Sequence, residues 1–257
     1  MKDPNEIWLA GVDGCSGGWT VVFTRPNGDL VPARVIPTFE QIAFAHERPE
    51  KIAVDVPIGL PEHSPSKGRF AESAARQKLG KRKSSVFRIP SRSAVYASVA
   101  REPADPRERF FHACQIARET SEDRKAFAKQ GFYILDKVVE VDKFLCGHRD
   151  YIGRVFETHP ELAFWRLNGE QPLSEPKKCK GRIHPPGLKL RRALLMRAGV
   201  PEETAHARPP PGAAEDDLID ALACAVIARR IQSNRAKPFP DPPPEPDSCG
   251  LPMAIWA

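Results

Sequence analysis

The segment 7–13 (IWLAGVD) is almost continuously apolar, and it constrains the fold of this chain more than any other feature. A strand of this kind is buried on both faces, as the central strands of an α/β sheet are. Residues 51–56 (KIAVDV) repeat the pattern. The chain therefore needs helices on both sides of a sheet, and a hydrophobic fraction of 41% over 257 residues is enough to build such a core.

The N-terminal part of the chain predicts the order strand, strand, strand, helix, strand. After the first apolar run, strands are expected at residues 19–25 and 30–36, joined by an Asn-Gly turn at 27–28. Thr38 can cap a short helix that reaches about residue 47. The fourth strand is the second apolar run. We expect the first three strands to be antiparallel neighbours in one mixed sheet.

The remaining residues complete a single α/β domain over 1–257 with a mixed five-stranded sheet flanked by helices. Residues 62–150 have helical periodicity around a basic segment, which predicts a largely helical insertion that caps the sheet. The C-terminal tail, 238–257, is rich in proline and ends in an apolar stretch. This stretch could form an edge strand or be disordered. The other expected elements are a fifth strand at 152–158 and helices from Pro160, over 188–198 and over 213–231.

Composition excludes several classes of protein. No run approaches the roughly 18 apolar residues of a membrane span, and the acidic, prolyl start has no apolar signal region, so we expect a cytoplasmic protein. The six cysteines form no C-x-x-C pair, which favours reduced thiols over a small zinc site. The net charge of +6 permits nucleic-acid binding without requiring it.

Three carboxylates lie in or at the ends of apolar strands, where hydrophobic packing does not account for a charged side chain. Asp13 ends the first apolar strand, Asp55 interrupts the fourth, and Glu157 ends the fifth. An ionised carboxylate in an apolar strand costs several kcal/mol unless it is compensated. Several converging anions cannot compensate one another, so a divalent metal ion is the economical explanation. Taken singly, Asp13 could instead form an Asx turn and Asp55 a hydrogen-bonded strand end.

The last helix carries a further acidic cluster. Asp216, Asp217 and Asp220 fall on one arc of the helix, opposite an apolar face. Acidic residues in the first turn are ordinary capping and dipole partners, and this alternative applies best to Asp216. Asp220 lies one turn further in, where capping explains it poorly.

The ordered acidic residues resemble the site of ribonuclease H-like nucleases, and the segment 217–223 looks like the final helix of Holliday-junction resolvases. More closely, five blocks are similar to domain-of-unknown-function family 429, which is regarded as a family of predicted nucleases with this fold. The loop 176–187 looks longer than the family pattern. The blocks are GVDGCSGGW at 11–19, VDVPIGL at 54–60, SSVF at 84–87 with Pro90 and Arg92, ETHPE at 157–161 and DDLIDALA at 216–223.

The resemblance implies metal-binding roles for Asp13, Asp55, Asp217 and Asp220. It implies hydrolysis of phosphodiester bonds with two Mg²⁺ or Mn²⁺ ions, with Asp13 as the expected bridging ligand. Glu157 matches the family block, but has no firm counterpart in the resolvase site, and is a secondary catalytic candidate.

The insertion carries the candidate nucleic-acid contacts. Lys81, Arg82, Arg88 and Arg92 could hold backbone phosphates and Phe87 could stack on a base, although a solvated loop is the alternative. No partner arrangement can be read around Ser84 and Ser85 that would make them nucleophiles. His159 is a candidate acid or base, or else a structural residue between strand and helix.

Two other functions stay open. The segment 11–18 also resembles the first phosphate loop of actin-like ATPases and sugar kinases, but those proteins generally duplicate the fold, and no second strand unit follows residue 150. The chain could also be a catalytically silent module that binds nucleic acid or protein.

Overall fold

A five-stranded mixed sheet forms the centre of the protein in a computed structural model, which describes residues 6–257. The strand order is β3-β2-β1-β4-β5. The β1–β2 and β2–β3 pairs are antiparallel, while the β1–β4 and β4–β5 pairs are parallel. The expected mixed sheet and its three antiparallel neighbours are therefore confirmed. The strands are β1 (Leu9–Cys15), β2 (Gly18–Thr24), β3 (Arg34–Ile36), β4 (Lys51–Val54) and β5 (Val155–Glu157).

The third strand is shorter than the sequence suggests. Leu30 forms only an isolated bridge to Thr24, and regular pairing with β2 begins at Arg34. Pro32 lies in the gap, where its missing N–H cannot donate to a ladder. The apolar pattern of 30–36 therefore continues past the residues that pair as a strand.

Helices cover both faces of the sheet. Thr38 caps the first helix as expected, because its hydroxyl accepts the backbone N–H of Gln41 at 3.3 Å. Two 3-10 turns occur at Gly80–Ser85 and Arg149–Tyr151. The helices are α1 (Phe39–Ala43), α2 (Phe70–Lys78), α3 (Arg92–Ser98), α4 (Pro106–Glu119), α5 (Lys129–Phe132), α6 (Leu135–Gly147), α7 (Pro160–Leu167), α8 (Pro185–Arg197), α9 (Glu202–Ala205) and α10 (Glu215–Gln232).

Side chains alternate between two hydrophobic clusters along each central strand. Leu9 and Ala53 pack in one cluster with α2, α7, α8 and α10. Ala10 and Val54 pack in the other with α1, α3, α4 and α6. Of the helices in 62–150, α2 packs on the first face, and α3, α4 and α6 pack on the second.

Gly11 allows α10 to lie directly against β1. A Cβ atom at this position would meet the backbone N of Ala225 at 2.0 Å and the carbonyl oxygen of Ala221 at 2.3 Å. Only glycine leaves room for such an approach of two backbones. The close packing also places the first turns of α10 beside the end of β1.

The C-terminal tail is neither disordered nor an edge strand of the main sheet. Strands β8 (Pro238–Phe239) and β9 (Ile255–Trp256) pair with each other as a small antiparallel sheet. Asp247 anchors the segment between them, since its carboxylate accepts the N–H of Leu60 at 2.8 Å and pairs with Arg92 at 2.7 Å. A second small sheet consists of β6 (Lys178–Cys179) and β7 (Arg182–Ile183).

Across residues 6–257, every helix is too short or too polar to cross a lipid bilayer.

Candidate active site

Asp13 and Asp55 lie side by side at the carboxyl edge of the sheet. Val12 and Val54 are paired across the parallel strands, and the N–H of Asp55 donates to the carbonyl oxygen of Val12 at 2.9 Å. By alternation, Asp13 shares the face of Leu9, and Asp55 shares the face of Ala53. That is the face covered by α10, so both carboxylates point toward the helix that carries Asp217 and Asp220.

These four aspartates line one cavity of about 710 Å³. Asp13 and Asp220 are almost completely buried, whereas Asp55 and Asp217 are partly exposed. The structure therefore brings together the residues that the resemblance assigns to metal binding. The cavity is also lined by Trp19, Arg82, Ser84, Ser85, Phe87, Glu157, His159, Glu161, Lys177 and Lys178.

The carboxylates repel one another strongly. Burial, followed by the charges of Asp55 and Asp220, raises the pKa of Asp13 well above its usual range. Burial also raises the pKa of Asp55 to about 6, although His159 and Lys177 oppose the shift. Burial raises the pKa of Asp220 against the opposing effect of Lys177. The site therefore favours either a bound cation or partial protonation.

Lys177 supplies a positive charge to this cluster. Its ammonium group contacts the carboxylate of Asp220 directly and lies 3.5 Å from Asp216. Burial lowers the pKa of Lys177, but the aspartates outweigh this and raise it overall. Lys177 is not among the site residues that the sequence predicts. Its only sequence signal is its position in the long loop 176–187.

The acidic cluster does not form a ready-made metal site. Within residues 6–257, no group of three or more His, Cys, Asp or Glu side chains is arranged to hold a metal ion. The Oδ1 atoms of Asp216 and Asp220 are nevertheless buried and accept no hydrogen bond from the described residues. Carboxylate oxygens are thus available as acceptors, and in the structure Lys177 provides the positive charge that opposes the charge of the aspartates.

Asp217, and not Asp216, caps helix α10. The Asp217 carboxylate accepts the N–H of Ala214 at 2.8 Å. Asp216 is buried and pairs with Lys178 at 2.7 Å. Burial opposes its ionisation, but the hydrogen bond from Lys178 and the charge of Lys177 lower its pKa. The capping alternative, which the sequence favours for Asp216, therefore applies to Asp217.

Glu157 is held by a buried ion pair. It shares the sheet face of Val155, opposite to that of Asp13 and Asp55, because side chains alternate along β5. One carboxylate oxygen accepts from Arg69 at 2.7 Å and the other from the N–H of Ile58 at 2.8 Å. Burial raises the pKa of Glu157 to about 7, although Arg69 favours the ionised form.

Arg69 is a second residue that sequence analysis missed. It is 2% exposed. Besides Glu157, it contacts Glu72 at 2.5 Å and donates to the carbonyl oxygens of Ile58 and Gly59. It fixes the turn that follows β4 and Asp55, which makes it a structural support of the site.

His159 caps helix α7. Its Nδ1 accepts the N–H of Glu161 at 3.2 Å, so Nε2 carries the proton and donates to the carbonyl oxygen of Ser85 at 3.3 Å. Glu161 forms a buried ion pair with Arg191. His159 thus joins the family block at 157–161 to the segment 84–87, and its ring lines the cavity.

The basic segment contributes unequally to the cavity. Arg82 lines it. Arg88 pairs with Asp123 at 2.8 Å, and Arg92 pairs with Asp142 at 2.6 Å. Lys81 is exposed. Of the four candidate phosphate contacts, Arg82 is the one that the structure brings to the carboxylates, together with Ser84, Ser85 and Phe87.

The comparisons with known proteins identify the family. Residues 11–245 match the family described as protein of unknown function (DUF429). Neither the curated proteins nor the solved structures contain a significant match to the chain. Because the matched segment spans most of the sequence and includes every carboxylate of the cavity, the chain belongs to the DUF429 family.

Proposed function

We propose that this protein is a metal-dependent nuclease with a ribonuclease H-like fold. The observation that carries the proposal is the position of Asp13, Asp55, Asp217 and Asp220 on one cavity, at the carboxyl edge of the central strands. The mixed sheet, with three antiparallel strands followed by two parallel ones, supports the fold assignment.

The donor set suits a divalent cation. Carboxylate oxygens are the ligands that Mg²⁺ and Mn²⁺ prefer. Asp13, Asp55, Asp217 and Asp220 would hold the metal, and the free Oδ1 of Asp220 is a ready acceptor. When bound, divalent ions would activate water and stabilise the leaving oxygen of a phosphodiester.

Other residues of the cavity suit substrate binding. Arg82 can donate to a backbone phosphate, and Phe87 offers an aromatic face to a base. Lys177 favours the ionised form of the aspartates, and it would have to leave Asp220 for a divalent cation to bind there. Arg69 holds the turn that follows Asp55. His159 holds the segment 84–87, which contains Phe87.

A cleavage assay with the full chain tests the proposal. Single-stranded, duplex and branched DNA and RNA are incubated with Mg²⁺, Mn²⁺ or EDTA, and metal-induced thermal shifts are recorded in parallel. We expect a positive thermal shift and cleavage of at least one substrate in the presence of metal only. Nucleic-acid binding with neither shift nor cleavage would favour the silent binding module. ATP hydrolysis without nuclease activity would favour the kinase-like alternative.

A further inference from the structure

A second cavity, of about 580 Å³, lies at the other end of α10. It is formed where α7, α8 and α10 end, and each of these helices has arginine in its last turn. The turn after β2 closes one side with Pro26 and Asn27. Five arginines line the cavity, namely Arg166, Arg197, Arg229, Arg230 and Arg235.

The positive charge of this arginine cavity exceeds the negative charge around it. Helix C-termini favour cations, and each carries roughly half a negative charge. Glu170 pairs with Arg166 and compensates one further charge. With three helix ends and one carboxylate against five guanidinium groups, about two positive charges or more stay uncompensated.

Some guanidinium N–H groups of these arginines also have no hydrogen-bond acceptor among the described residues. Arg229 donates to the carbonyl oxygen of Ala198 at 2.9 Å, and Arg230 to that of Arg235 at 3.1 Å. The Nε groups of Arg166 and Arg230 are buried and have no hydrogen-bond partner among the described residues. Burial, and then the charge of Arg235, lowers the pKa of Arg229.

We propose that the arginine cavity binds a phosphate-bearing anion. The planar guanidinium fork matches phosphate oxygens in pairs. Four of the five arginines, all except Arg166, form no ion pair with a carboxylate of the described residues, and such groups around one space suit a ligand with more than one phosphate charge. The volume lies within the range of about 300–1,000 Å³ typical of small-ligand sites. Leu167, Leu194 and Val226 provide an apolar wall for the rest of such a molecule.

This site is separate from the carboxylate cavity. Arg229 follows Asp220 by nine helical residues, which corresponds to about 14 Å along the helix axis. The turn at Asn27 follows the end of β2 that pairs with the start of β1, whereas Asp13 lies near the end of β1. The inference therefore does not depend on the proposed nuclease function.

Titration calorimetry with inorganic pyrophosphate tests the inference. The full chain is measured in EDTA, so that metal in the carboxylate cavity cannot recruit the anion. Arg197 and Arg235 are exposed, so the double variant R197Q/R235Q should fold normally, which circular dichroism verifies. We expect pyrophosphate to bind the wild type and to bind the double variant at least tenfold more weakly. The matched control, R107Q on the exposed side of α4, should bind like the wild type.

Two further ligands identify the source of the phosphate. Stronger binding of ADP than of pyrophosphate, lost in R197Q/R235Q, would support a free nucleotide. Binding of short single-stranded DNA alone, lost in the same variant, would support the backbone of a nucleic acid. If none of the three ligands binds the wild type, or if R197Q/R235Q binds them as well as R107Q does, the inference is wrong.

Discussion

The ammonium group of Lys177 contacts the carboxylate of Asp220, although the two residues are 43 positions apart in the sequence. Lys177 lies on the loop between α7 and α8, while Asp220 faces the cavity from the second turn of α10. The same lysine is 3.5 Å from Asp216. If the proposed metal binds here, it would compete with Lys177 for this set of carboxylates.

Replacement of Lys177 by methionine should increase metal affinity. The substitution removes the competing charge, so we expect Mn²⁺ to bind about tenfold more tightly and to raise the melting temperature more than in the wild type. Without metal, the variant should melt at a lower temperature, because Asp220 and Asp13 lose their countercharge. Calorimetry and thermal melts measure both effects. Lys178→Met, which removes the neighbouring ion pair with Asp216, is the control and should change Mn²⁺ affinity much less.

Asp13→Asn should separate metal binding from folding. The variant keeps the shape of the side chain but removes one of the mutually repelling charges, so its stability in EDTA should equal or exceed that of the wild type. We expect the metal-induced thermal shift and metal-dependent cleavage to disappear. Asp150→Asn, on an exposed 3-10 turn, should behave like the wild type. A normal metal shift in Asp13→Asn would contradict the assigned ligand role.

The pH dependence of stability should report the raised pKa of Asp55. A carboxyl group with a pKa of about 6 in the folded protein and 3.8 as its ordinary value binds protons more tightly when folded. Stability in EDTA should therefore fall as the pH rises from about 4 to about 6. Thermal melts of the wild type and Asp55→Asn across this range measure the difference. The stability of the variant should fall less over this range than that of the wild type. If stability falls equally steeply with pH in both proteins, Asp55 does not titrate in this window.

Glu157→Gln should show that Glu157 stabilises the fold and does not bind metal. The variant leaves Arg69 buried without one of its two anions, so we expect a loss of about 3–5 kcal/mol in the free energy of unfolding. The Mn²⁺-induced thermal shift should persist, since Glu157 lies on the opposite sheet face from Asp13. Urea unfolding with and without Mn²⁺ tests both points. Loss of the metal effect with unchanged stability would instead assign Glu157 to the metal site.

Gly11→Ala should prevent stable folding. The added Cβ meets backbone atoms of α10 at 2.0 and 2.3 Å, and neither strand nor helix can move away without opening the core. We expect the variant to be insoluble or to lose cooperative thermal unfolding. Gly147→Ala is the matched control, because its Cβ would meet nothing within 4 Å. That variant should be as stable as the wild type or slightly more stable.

The structure departs from the sequence interpretation mainly in element boundaries. α10 begins at Glu215, about two residues later than expected, and Asp217 caps it, whereas the capping alternative was favoured for Asp216. Local patterns place a helix on the chain but seldom fix its first residue. Arg88 and Arg92 show a larger difference, because their carboxylate partners lie on distant parts of the chain.

The sequence by itself determined the sheet, its two buried central strands and the edge at which Asp13 and Asp55 meet. The buried strands follow from the period of apolar residues, which is a local property of the chain. Only the tertiary structure decided that Lys177 neutralises Asp220 and that Arg69 holds Glu157. Long cationic side chains reach partners far away in the sequence, and which partner they reach depends on how the helices and loops pack, which no local period encodes.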